Sequence, residues 1–242
     1  MTHGERRPQI LAMGGGGFSM EPDNLALDRY LLRLTGEPRP RVCFVPTASG
    51  DAEGYIAGFY TAFNSLDCEP SHLGLFRRNH ADLRAHVLSQ HAIYVGGGNT
   101  RNMLALWREY GLDHVFREAW RAGVVLAGLS AGSLCWFESG VTDSNGALAA
   151  MACLGFLPGS HCPHYDSEPE RRPAYHGLLA SDAIAAGYAA DDGAALHFID
   201  TTLAAVVSSR PDARAYRVAQ GPAGASETPL LAELLAAPAP VA

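Results

Sequence analysis

Long apolar runs are missing from this chain of 242 residues. No stretch approaches the roughly 20 consecutive apolar residues of a membrane-spanning helix, which excludes that role. Long basic runs are missing too, and the net charge is −7, so a surface that tracks a nucleic-acid backbone has no support. Five cysteines, Cys43, Cys68, Cys135, Cys153 and Cys162, are odd in number, lack Cys-x-x-Cys spacing and sit mostly beside apolar residues. That excludes a disulfide-stapled framework and reads as reduced, largely buried thiols. Before Ile10 stand His3, Glu5, Arg6, Arg7 and Pro8 rather than the apolar stretch of a secretory signal, so the expected compartment is the cytoplasm. No internal repeat of fixed period stands out. What the chain does have is apolar bulk: 48% of residues are hydrophobic and 18% charged, enough to fill a core and to argue against disorder.

Four short apolar runs end in small-residue loops: Gln9 to Met13 before Gly14-Gly15-Gly16-Gly17, Arg41 to Pro46, Ala92 to Val95 before Gly96-Gly97-Gly98-Asn99, and Val124 to Ala127 before Gly128. Between them, Leu25 to Leu34, Ile56 to Leu66, Leu83 to Leu88, Met103 to Tyr110 and Val115 to Ala122 carry helical spacing, with Asn99 or Thr100 suited to cap the fourth. Strand, glycine-rich loop and helix in repetition predict an α/β fold with a mostly parallel sheet covered on both faces. Its chemistry belongs in the loops beyond the carboxyl ends of the strands. Further on, Leu154 to Leu157, Ala194 to Phe198, Leu203 to Ser208 and Ala215 to Val218 read as strands extending that sheet or adding a hairpin at its edge. No linker demands a second domain, so residues 1–242 are expected to form one. The tail after about residue 221 is expected to be partly peripheral, with a docked helix at Leu230 to Leu235 and frayed last residues.

The most informative stretch is Val124-Val125-Leu126-Ala127-Gly128-Leu129-Ser130-Ala131-Gly132-Ser133. An apolar strand delivers Ser130 into a turn and then a helix, in a Gly-x-Ser-x-Gly pattern where side chains at 128 or 132 would crowd a nucleophile on a strained elbow. A serine hydroxyl needs a base. His164, in Cys162-Pro163-His164-Tyr165-Asp166, is the first candidate; His161 competes, and His176 and His197 are less suited. By chain order Asp143 is the first candidate to orient the imidazole, with Glu168, Glu170 and Asp192 as rivals. The amides of Gly98 and Ala131 are placed to form an oxyanion hole. Neither glycine run contains Gly-Lys-Ser/Thr, which argues against phosphate binding. His161, His164, Asp166, Glu168 and Cys162 match no zinc spacing, so neither metal nor cofactor is called for.

These segments together resemble the dipeptidase E group of serine peptidases, the α-aspartyl dipeptidases, which are related to the cyanophycinases. The resemblance runs through Gly96-Gly97-Gly98-Asn99-Thr100, Gly128 to Ser133, Cys162-Pro163-His164-Tyr165 and Ala190-Asp191-Asp192-Gly193, with looser matches at both ends. It implies a fold like that of class I glutamine amidotransferases, a three-layer α/β sandwich with a mostly parallel central sheet. It also implies hydrolysis of the peptide bond after an amino-terminal aspartate. Carried onto this chain, the nucleophile is Ser130 and the base His164. The acid falls nearest Asp143 across a small gap, which leaves Glu168 or Asp192 able to take that role. Recognition of such a substrate requires opposite charges in one pocket: Arg171 and Arg172 for the carboxylate, Glu168 or Glu170 for the ammonium, with Asn99 as a further substrate contact. The implied partner is a small peptide with an N-terminal Asp, with no nucleic acid and no membrane, acting on a monomer or homodimer. Two rival readings are an amidase or esterase using the same serine on another acyl substrate, and a catalytically silent α/β domain that binds a metabolite or a protein.

Overall fold

The computed structural model describes residues 6–221 and 224–236. Strands β1 (Gln9–Met13), β2 (Arg41–Val45), β3 (Glu69–His72), β4 (Ala92–Val95) and β5 (Val125–Leu129) are parallel and lie side by side in the order β1-β5-β4-β2-β3. Helices α1 (Gly17–Met20), α2 (Ala26–Leu34), α3 (Glu53–Phe63), α4 (Leu83–Leu88), α5 (Thr100–Glu109) and α6 (Leu112–Arg121) connect them. Successive side chains of a strand point to opposite faces, and here the two sets fill two cores. Leu11, Met13, Phe44 and Tyr94 pack with Phe18, Leu27, Phe59 and Phe63; Ile10, Cys43, Ile93 and Val95 pack with Trp107, Phe116 and Trp136. Burial on both faces is why these strands read as unbroken apolar runs. Asn99 caps α5, its Oδ1 accepting the Asn102 amide at 2.9 Å. The polar, proline-containing β3 carries no such run and escaped notice in the sequence.

Beyond α7 (Ala131–Leu134), the chain forms β6 (Phe137–Thr142), β7 (Ala149–Ala152), β8 (Leu157–Cys162), α8 (Arg171–Ala180), β9 (Gly187–Ala190), β10 (Ala194–Ile199), β11 (Thr202–Ser208), β12 (Ala215–Gly221), β13 (Gly224–Leu230) and β14 (Glu233–Leu234). β10 and β11 extend the first sheet as an antiparallel hairpin on β1. The others, apart from β14, form a second, six-stranded sheet in the order β13-β12-β9-β8-β6-β7, which the alternation of the sequence did not reveal. One face of this sheet joins the core around Trp136 through Phe137, Leu157 and Ala215; the other packs Val141, Cys162 and Val218 against Tyr175 and Leu179 of α8.

Two expectations are corrected. The strand anticipated at Leu154 to Leu157 begins at Leu157, because the amides of Leu154, Gly155 and Phe156 are turned back onto the carbonyls of Cys135, Phe137 and Trp136. After 221 the chain pairs as β13 with β12 from Gly224 to Leu230, a largely exposed edge position that tolerates Pro229. The helix anticipated at Leu230 to Leu235 is replaced by β14: a helix so short is unstable alone, and the outer edge of β11 offers unpaired backbone groups that Glu233 and Leu234 take up. The end of the chain anticipated to fray, residues 237–242, lies outside the described residues. Among the described residues no helix is long and apolar enough to cross a membrane, and all five cysteines are free.

One acid lies inside the core between α2 and the sheet. Asp28 is fully buried, and burial drives its carboxyl up to about 7 from 3.8, against the opposing pull of the Phe18 amide, its own amide and the Tyr94 hydroxyl. Because the folded value lies above the unfolded one, the native state holds an extra proton between them, and stability falls as pH rises from about 4 to about 7. The uncharged isostere Asp28→Asn is expected to flatten that slope and to exceed the wild type by on the order of 3 kcal/mol at pH 8. Urea unfolding at pH 4, 6 and 8 reads the effect, and parallel slopes in the two proteins would refute it.

Candidate active site

The end of β5 turns sharply at Ser130, whose φ of 55° and ψ of −118° lie in a region that non-glycine residues seldom occupy. Strain of this kind costs about 1–3 kcal/mol and persists where the surroundings over-determine it. The flanking glycines supply that constraint. A Cβ on Gly128 would stand 2.2 Å from the Gly132 carbonyl oxygen, and one on Gly132 would stand 2.2 Å from that of Val95. β4, β5 and α7 therefore meet backbone to backbone under the serine, which is itself half-buried.

The glycine loop after β4 runs past Ser130. A Cβ on Gly97 would lie 3.3 Å from the Ser130 Cβ and 3.7 Å from its Oγ. Tyr55 fixes this loop by accepting the Gly97 amide at 3.2 Å, and Gly98 beyond it is exposed. Asn99 is occupied by the cap of α5 and by the Ser144 carbonyl, to which its Nδ2 donates at 3.1 Å; the Ser144 hydroxyl accepts the Thr100 amide at 2.9 Å. Neither Tyr55 nor Ser144 carries a sequence signal of its own.

His164 follows β8 with φ 54°, and its amide donates to the Gly14 carbonyl at 3.3 Å. The Ser130 amide donates to the preceding carbonyl, that of Met13, at 3.4 Å. Serine and histidine thus hang from successive residues, the last of β1 and the first of the loop after it. His164 Nδ1 lies 2.6 Å from Asp192 Oδ1, both side chains being nearly nine-tenths buried. Burial works against the Asp192 charge, yet hydrogen bonds from His164 and Ser167 and the positive charge of Arg210 outweigh it and hold the carboxyl below the usual carboxylate range. Gly15 makes room for this carboxylate, since a Cβ there would come within 2.0 Å of Asp192 Oδ1.

The acid beside the imidazole is therefore Asp192, while Asp143, placed first by chain order, stands exposed in the turn after β6. It lines a cavity of about 650 Å³ together with Gly146, Leu148, Ser167, Glu168 and Glu170, a wall with three carboxylates and no basic side chain. Ser144, next to Asp143 in sequence, bonds Asn99, and Ser167 of the cavity wall bonds Asp192. Arg171 is buried; its Nε pairs with Glu168 at 2.7 Å and its Nη1 donates to the Val141 carbonyl at 3.0 Å. Arg172 is paired with Glu227 at 3.2 Å and lies over the rings of Tyr165 and Tyr216. Neither arginine lines the cavity.

The other histidines have different surroundings. His161 is wholly buried and stacked on Phe137, and burial pushes its ring down to about 3. His176 pairs with Glu227, and His197 on β10 is held between Tyr30 and Gln9. Among the described residues no three His, Cys, Asp or Glu side chains converge as a metal ion would require.

The model of peptidase family S51 matches residues 10–206, a span that includes Ser130, His164 and Asp192. The uncharacterized peptidase YgaJ of Bacillus subtilis is 60% identical over 222 residues, covering 92% of this chain and 96% of its own. Peptidase E of Shewanella amazonensis is 36% identical over a shorter stretch of 89 residues, 36% of this chain and 38% of its own. Among solved structures, a peptidase from an acI-B1 actinobacterium shares the fold with a TM-score of 0.71 over 95% of this chain and 96% of its own, at 20% identity. The mostly parallel α/β architecture is thus that of peptidase structures, and a family match over most of the length makes this chain a member of peptidase family S51.

Proposed function

We propose that this peptidase works by a serine mechanism, with Ser130 as nucleophile, His164 as general base and Asp192 as the acid that orients it. The observation that carries the proposal is the 2.6 Å contact between His164 Nδ1 and a carboxylate kept ionised, with the amide of His164 and that of a serine on a strained elbow held by the neighbouring carbonyls of Gly14 and Met13. With Nδ1–H donated to Asp192, the proton-accepting nitrogen is Nε2. Ser130 Oγ attacks the scissile carbonyl carbon as Nε2 takes the hydroxyl proton, and the carbonyl π electrons move to oxygen. The amides of Gly98 and Ala131 are assigned to that oxyanion, and Ala131 begins α7, where first-turn amides have no intrahelical acceptor. Collapse of the intermediate breaks the C–N bond, and the proton on Nε2 goes to the departing amine. Water, deprotonated by the same nitrogen, then releases the acyl group. Asp192 stays ionised throughout and stabilises the imidazolium.

The substrate assigned is a short peptide with a free amino terminus, and the expected class is Asp-X. The carboxylates of Glu168 and Glu170 suit an ammonium group. An aspartyl side chain would need Arg171, which is reached only if Glu168 turns away from it toward that ammonium. Arg172, already neutralised by Glu227, is assigned no substrate contact.

Ser130→Ala and His164→Ala are each expected to lower kcat by at least about 1000-fold, and Asp192→Asn by about 100-fold or more, while Asp143→Asn stays within about threefold. Steady-state kinetics on a cleaved dipeptide checks this, and a loss at Asp143 matching that at Asp192 would return the acid role to Asp143. In a panel of Asp-X, Ala-X and Arg-X dipeptides and simple esters, Asp-X is expected to lead in kcat/KM by tenfold or more, about 1.4 kcal/mol. Preference for any other member would end the aspartyl assignment and leave the serine mechanism standing.

A further inference from the structure

The contacts that hold His164 and Asp192 together come from outside the three residues assigned to the reaction. Asp166, two places after His164, accepts the Asp192 amide on Oδ1 at 2.8 Å and the Arg210 Nη2 on Oδ2 at 3.0 Å. The same Nη2 donates to the Asp192 carbonyl oxygen. Arg210 Nε stands 3.6 Å from Glu21 Oε1, and the other Glu21 oxygen accepts the Ser209 hydroxyl at 2.6 Å. One guanidinium therefore joins the segment after α1, the loop after β8, the β9–β10 connection and the chain after β11. Asp166 is bonded to the Asp192 main chain, not to its carboxylate, so a second negative charge sits beside the pair with Arg210 as its counter-ion.

Resting on the Ser130, His164 and Asp192 reading, we propose that Arg210 is a positioning residue: clamped on Asp166 and on the Asp192 carbonyl, it sets the β9–β10 connection so that the Asp192 carboxylate faces His164, and it offsets the Asp166 charge. The charged groups around the pair are Asp166 on the histidine's own loop, Asp191 next to Asp192, Glu21 after α1 and Arg210 itself. Behind β8, His161 is buried and neutral, and Arg171 is engaged by Glu168. Removing Arg210 makes this environment more negative, and neutralising Asp166 makes it more positive. A structural strut alone would not reverse sign between the two.

The test is the rate at which a fluorophosphonate labels Ser130 as a function of pH, a readout independent of the peptide preferred. Ser130 Oγ bonds to phosphorus, fluoride leaves and the hydroxyl proton passes to the base, so the acid limb of the profile reports the His164–Asp192 pair as a coupled unit. Arg210→Ala is expected to label about 100-fold more slowly, as a displaced catalytic group does, with its acid limb moved up by about half to one pH unit. Asp166→Asn should move that limb down by a similar amount. Arg210→Lys, which keeps the charge without the planar fork, should hold the limb in place and recover part of the rate. Limbs unmoved in both Arg210→Ala and Asp166→Asn, or moved in the same direction, overturn the clamp while leaving a labelled, active serine. If Arg210→Ala fails to fold, Asp166→Asn against Arg210→Lys decides: a lowered limb in the first with an unmoved limb in the second supports the clamp, and any other pattern overturns it. A wild-type protein that is never labelled would instead end the serine reading, and this inference with it.

Discussion

Everything at this site depends on how closely two stretches of backbone approach each other. The loop after β1 runs against the β9–β10 connection with no room for side chains: a Cβ on Gly14 would lie 2.3 Å from the carbonyl oxygens of both Ala190 and Asp191. This contact is where the two sheets meet, because β9 belongs to the second sheet and β10 to the first. The carbonyls of Met13 and Gly14 then hold Ser130 and His164 from the same short segment. A dispersion-packed core could place these loops only to within side-chain slack, whereas backbone contact leaves almost none. The tetraglycine therefore serves as a seat for the acid loop, which accounts for a glycine run without the lysine or serine of a phosphate cradle.

The first half of the fold was legible because its strands are buried on both faces and its loops are glycine-rich. β1 and β4 coincide with the anticipated runs, and α4 spans the same residues as its apolar pattern. The second half was harder to read for a physical reason. β7, with three half-buried positions and one exposed, and β13, largely exposed at an edge, leave no strong periodicity in their sequences. The elbow at Ser130 was readable for a different reason, since its Gly-x-Ser-x-Gly spacing lies within five residues of sequence, even though the glycines also make room for the Val95 carbonyl of β4. The carboxylate beside the imidazole was not, because the meeting of two loops almost thirty residues apart brings Asp192 there.

Chain order favoured Asp143, whereas the carboxylate in contact with the imidazole is that of Asp192. A carboxylate orienting an imidazole has to be buried enough to act on it and bonded enough to remain charged. Asp143, in an exposed turn, lacks the burial, whereas the Asp192 side chain is largely buried and has His164, Ser167 and Arg210 to offset that burial. The same comparison bears on Arg171 and Arg172. Arginines beside a histidine loop look like anion receptors in sequence, but each already has a carboxylate partner, and the free wall of the cavity is acidic.

Asp28 and Asp192 show how one residue type is pushed in opposite directions by what surrounds it. Desolvation is the largest influence on both, and it prevails at Asp28, whose nearest donors are too few to compensate. At Asp192 the same penalty is overcome by a histidine, a hydroxyl and an arginine converging from separate segments. Maintaining a buried negative charge therefore requires several chain segments to converge, and the fold provides this convergence at the junction of its two sheets. That junction lies beyond the carboxyl ends of the parallel strands, where loops from both sheets can reach one another, so the place that can sustain the charge is also the place that exposes the serine.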